Sequence, residues 1–114
     1  MNLLEETIND IKYNCQTIED IVFIGSLYSG HCCDWGEFEA LANIEYNEGF
    51  GSAEIASDLV IVFANGARMT RGEYDGSEWW EYHKPFVMPD EKKKILRLKS
   101  TSYSETLGFI NMND

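Results

Sequence analysis

The stretch Ser57–Phe86, "SDLVIVFANGARMTRGEYDGSEWWEYHKPF", carries two hairpin signals, Asn65-Gly66 and Asp75-Gly76, between three runs rich in β-branched and aromatic residues. Asn-Gly and Asp-Gly supply the positive backbone angles that a tight turn between antiparallel strands needs, so the stretch predicts a three-stranded meander. Alternation within the last run places Trp80 and Tyr82 with Phe86 on one face. Trp79, Glu81 and His83 fall on the other, more polar face. Pro85 and Pro89 lack the amide hydrogen a ladder requires and end the sheet.

Upstream, Leu4, Ile8, Ile11, Cys15 and Ile18 recur at spacings of four, three, four and three, the stripe of an amphipathic helix. Asn2 with Glu5 forms a capping pair at its start. "IEDIVFIGSLY", residues 18–28, is apolar at successive positions and predicts a strand placed centrally in the sheet. Asp34 and Glu37 form a second capping pattern, followed by Trp35, Phe38, Leu41 and Ile44 along one face of a short helix. "YNEGFGSAEIA", residues 46–56, is a loop. Its glycines lack the Lys-Ser/Thr ending and the preceding strand of a phosphate-cradling motif, and Glu48 and Glu54 would repel phosphate. The expected fold class is therefore α+β: a mainly antiparallel sheet of four to five strands with an N-terminal amphipathic helix and a second short helix.

The 114-residue chain suits one domain, expected over residues 1–91, with residues 92–114 forming a basic C-terminal extension or edge strand and a weakly ordered tail. Apolar residues make up 44% and aromatic residues 13%, enough buried area to offset chain entropy, so the chain folds. No run approaches the roughly 20 apolar residues that span a bilayer, and the acidic start differs from a signal peptide; the expected location is the cytoplasm. Net charge is −11, unevenly placed. Residues 1–91 hold 18 acidic residues against four basic ones (Lys12, Arg68, Arg71, Lys84), a balance of −14, whereas residues 92–114 balance to +3. Such a body repels nucleic acid and membrane phosphates and attracts basic surfaces.

"SGHCCDWGEFEAL", residues 29–41, sets His31, Cys32 and Cys33 side by side. Three cysteines in a reduced compartment argue against a disulfide framework. Thiolate and imidazole are the donors Zn²⁺ selects, so His31, Cys32 and Cys33, with His83 elsewhere, are the candidate ligands of a structural zinc. Adjacent cysteines must bend the chain sharply to face one ion. Cys15, Asp34 or water are alternatives for the fourth position, although Cys15 lies on the helical stripe as a small apolar residue and Asp34 has a capping role. A cysteine nucleophile lacks a group to orient its base, and nothing brings Glu78 and Glu81 to a shared cleft, so no enzyme is expected. The surface candidate is "EYDGSEWWEY": Glu73, Asp75, Glu78 and Glu81 surround Trp79, an aromatic anchor rimmed with steering charges suited to a basic groove.

The segments "IVFIGSLYSG", "DWGEFEALANIEYNEGFGSAEIASDLVIVFANG" and "EYDGSEWWEYHKPF" resemble a group of small phage and prophage proteins over roughly residues 18–86. In size, charge and aromatic content the chain is similar to the anti-CRISPR proteins that inhibit type II effector nucleases, type II-A among them. That resemblance implies an inhibitor acting in the bacterial host cytoplasm, whose partner is a type II CRISPR effector nuclease. It would bind a basic surface and block target DNA loading or cleavage by occupancy, with zinc as a structural cofactor. The competing classes are a metal- or thiol-dependent small enzyme and a phage regulatory protein with another partner.

Overall fold

A computed structural model describes residues 1–47, 49 and 51–98. Helix α1 (Leu3–Tyr13) leads through a single 3₁₀ turn (Ile18–Asp20) into β1 (Ile21–Gly25); β2 (Cys32–Cys33), α2 (Trp35–Ala42), β3 (Val60–Phe63), β4 (Arg68–Tyr74) and β5 (Ser77–His83) follow. The five strands form one sheet in the order β2-β1-β3-β4-β5, every neighbouring pair antiparallel. This is the expected α+β architecture, with β1 an interior strand next to the edge and β3 in the middle of the sheet. The fifth strand is β2, built from residues the sequence presents as a turn. No helix among the described residues is long and apolar enough to cross a membrane.

Both turns form where their residues require. Asp75 (φ 52°) and Gly76 (φ 86°) make the two-residue link between β4 and β5. At the β3–β4 link Gly66 takes φ 91°, and the Asn65 side chain accepts from the Ala67 amide at 3.0 Å.

Both capping pairs hold. Asn2 accepts from the Glu5 amide at 3.0 Å, and Asp34 and Glu37 exchange side-chain-to-backbone bonds at 2.8 and 3.1 Å. The buried faces differ from those expected. On α1 the buried line is Leu3, Thr7 and Ile11, which keeps Ile11 of the apolar stripe but replaces Leu4 and Ile8 by the residues just before them. Thr7 can be buried because its hydroxyl donates to the Leu3 carbonyl at 2.7 Å and accepts from the Trp80 indole N–H at 2.9 Å. Cys15 lies beyond the helix end in a left-handed conformation (φ 59°) and is exposed, so it is not the small core residue the stripe implies. On α2 a true helical step selects Phe38 and Ala42; Leu41 and Ile44, reached by strict threes, rotate into solvent.

Both helices bury residues in a single core with one face of the sheet. The row Ile24, Ile61, Met69, Tyr82 crosses β1, β3, β4 and β5 on that face. The row Gly25, Val60, Thr70, Glu81 crosses the opposite face. Beyond β5 the alternation lapses, and Phe86 is exposed instead of joining Trp80 and Tyr82. The weakly ordered tail expected from residue 101 onward lies outside the described residues.

Candidate functional site

Strand β5 divides its side chains between two environments. Glu78 and Trp80 turn toward the helices and are buried. Glu78 is only 4% exposed; its carboxylate accepts from the Glu54 and Ile55 amides at 2.8 and 3.2 Å and lies 3.7 Å from Arg71. It is therefore not part of a surface that a partner could touch, and the reading of Glu78 as a docking residue is corrected by the two-residue period that places it with Trp80. Arg71 is the hub beneath it. Its guanidinium bonds Glu6 at 3.2 Å and the Tyr46 hydroxyl at 3.0 Å, and lies 4.8 Å from the Trp80 ring centroid. The Tyr46 hydroxyl donates to Glu6 at 2.7 Å. Burial first, and the bond to the Glu6 carboxylate second, push the Tyr46 pKa up to about 12. This network ties α1, the loop at Tyr46, the loop at Glu54 and strands β4 and β5 together. It is an internal cross-brace, and sequence reasoning missed it, although Arg71 two residues from Met69 on an alternating strand was its signal.

The other face of the same hairpin carries no helix. Trp79 is 38% exposed, and its indole N–H donates to Glu81 at 3.2 Å. Gly72 sits directly opposite on β4, and a Cβ there would collide with that indole and with the Glu81 carboxylate. Glycine is thus what lets the ring lie flat across β4. At the tip, Glu73, Tyr74 and Asp75 are exposed, and one Glu73 oxygen accepts from the Gly76 amide at 2.9 Å, holding the turn. Toward the far end, His83 Nε2 lies 2.8 Å from the Thr70 hydroxyl, and Arg68 faces His83 across the strands. Of the sequence-selected residues, Trp79 and Glu81 share the uncovered face and Asp75 stands in the turn, whereas Glu73, directly opposite Glu78, belongs to the helix side of the hairpin although it is exposed at the tip.

The candidate metal ligands do not converge. Cys32 and Cys33 are successive residues of a strand, so their side chains leave opposite faces: Cys33 packs against the core while Cys32 is exposed. Burial pushes the Cys33 thiol pKa up, with Glu37, Asp34 and Cys32 adding to it. His31 Nδ1 lies 2.8 Å from the Ser29 hydroxyl. His83 stands on β5, the opposite edge of the sheet from β2, four strand spacings or roughly 19 Å away. His83 therefore cannot complete a site with Cys32 or Cys33. Asp34 is committed to its cap. No three His, Cys, Asp or Glu side chains among the described residues are placed to hold a metal ion. What fixes this strand is close packing: a Cβ on Gly25 would collide with the His31 carbonyl oxygen.

This chain matches no protein-family model, no curated protein and no solved structure, so a functional reading rests on its own geometry.

Proposed function

We propose that this protein is a binding module that works by occupancy, docking the exposed face of its β4–β5 hairpin onto a basic, nucleic-acid-handling protein surface. The observation that carries the reading is Trp79, a large ring kept at the surface by Gly72 and by its bond to Glu81, with the exposed Asp75 in the turn at the end of the same hairpin. An aromatic anchor of this kind supplies contact area at low entropic cost, and the surrounding carboxylates steer a positively charged partner toward it. A body of net charge −14 over residues 1–91 strengthens that steering at long range and disfavours direct binding to nucleic acid. The partner we propose is a type II CRISPR effector nuclease in the bacterial cytoplasm, blocked before it loads or cleaves target DNA. The mechanism needs no metal and no turnover.

The test is target cleavage by a panel of type II nucleases with and without the purified protein. Stoichiometric inhibition of at least one is expected, weakening as salt rises. Reversing Asp75 and Glu81 to Lys should lower affinity about tenfold or more and flatten the salt dependence. A panel in which no enzyme is slowed would remove the nuclease as partner, and unchanged affinity in the reversed variant would remove the hairpin as the docking surface.

A further inference from the structure

A groove of about 370 Å³ opens beside β3 and β4, its walls formed by Leu27, Tyr28, Asp58, Leu59 and Val60, with Arg68 and Thr70 contributed by β4. It is separate from the tip of the hairpin and falls within the size range of small-ligand sites. Its polar groups are of both signs. Of the two arginines in residues 1–91, Arg71 is consumed by Glu6 and Glu78. The Arg68 guanidinium has no ion-pair or hydrogen-bond partner among the described residues, and neither has the Asp58 carboxylate, although both line this groove.

We infer that this groove binds a small zwitterion with an apolar substituent, a free α-amino acid of the leucine type. The ligand carboxylate would pair with the Arg68 guanidinium and accept from the Thr70 hydroxyl, the bidentate geometry for which arginine is suited. Thr70 can donate that proton when His83 Nε2, 2.8 Å away, carries its own hydrogen and donates to the threonine oxygen. The ligand ammonium would pair with Asp58, and the side chain would lie against Leu27, Leu59 and Val60. Two facts select this class over a simple anion. Asp58 repels a carboxylate or phosphate that brings no compensating positive group, and the −14 body lowers the local concentration of any net anion while leaving a neutral zwitterion unaffected.

The experiment is an amide NMR titration of the full chain with L-leucine, with 4-methylpentanoate, which lacks the ammonium, and with L-leucinamide, which lacks the carboxylate. Leucine should shift the amides of Leu27, Leu59 and Thr70 saturably, and each singly charged analogue should bind at least about tenfold more weakly. Arg68→Gln and Asp58→Asn should each weaken leucine binding by a similar factor. Both residues are exposed, so these variants keep the fold, which the undisturbed remainder of the spectrum verifies. Absence of a saturable shift up to the solubility of leucine, equal binding of 4-methylpentanoate, or leucine binding that survives Arg68→Gln would each overturn the assignment.

Discussion

Trp79 and Trp80 are neighbours in the chain and lie on opposite sides of the sheet, and the same contrast separates Arg68 from Arg71. On the helix-covered face Trp80, Arg71 and Glu78 are buried, and every charge has a counter-charge or an amide donor. On the uncovered face Trp79 and Arg68 stand at the surface, and the arginine is unpaired among the described residues. Identical residue types thus serve cohesion on one side and are available for recognition on the other. What decides is the parity of their position along β4 and β5, not their chemistry.

The sharpest way to break that comparison is to remove the same charge from each side. Arg71→Met leaves Glu6 and Glu78 without their cation in a buried setting and should cost about 3–5 kcal/mol of stability. Arg68→Met should lie within about 0.5 kcal/mol of the parent, because an exposed unpaired side chain contributes little. Urea unfolding followed by far-ultraviolet circular dichroism measures both. Similar midpoints for the two variants would mean that the brace around Arg71 does not hold the fold.

A second lever acts through pH. The Tyr46 pKa is raised in the folded chain to about 12 from an ordinary value of 10.0. Below about pH 10 the phenol is neutral in both states, and its share of stability is fully present. Between about pH 10 and about pH 12 only the unfolded chain loses the proton, so stability falls as pH rises through that window, by about 3 kcal/mol in total. Tyr46→Phe should remove this part of the alkaline decline, while costing about 1 kcal/mol near neutrality through the lost bond to Glu6. Parallel declines for parent and variant between about pH 10 and about pH 12 would show that Tyr46 is not held as described.

Much of the fold was legible because local rules governed it. Asp75-Gly76 and Asn65-Gly66 demand turns by their backbone freedom, and the Asn2 and Asp34 caps close on the predicted amides. The candidate surface was partly legible, since alternation puts Trp79 and Glu81 on one face. The same alternation removes Glu73 and Glu78 from that face, although the clustering of acids in the sequence had grouped them with it. The buried brace was not legible. Glu6 and Tyr46 are far in sequence from Arg71 and Glu78, and only the fold brings the four together. The candidate metal ligands do not converge for a related reason: a strand sends the adjacent thiols to opposite faces, and the sheet carries His83 to its far edge.

The smallest expected effect is the most informative about recognition. Trp80→Ala removes a buried ring and its bond to Thr7 and should cost about 3–5 kcal/mol. Trp79→Ala removes a cross-strand contact over Gly72 and an exposed bond to Glu81, and should cost about 0.5–1 kcal/mol. Because it contributes so little to the fold, this ring separates stability from the proposed docking: Trp79→Ala should lose partner affinity about tenfold or more while its unfolding midpoint barely moves. Were Trp79→Ala instead as destabilising as Trp80→Ala, the ring would belong to the cohesive interior, and the uncovered face would lose its anchor for any partner.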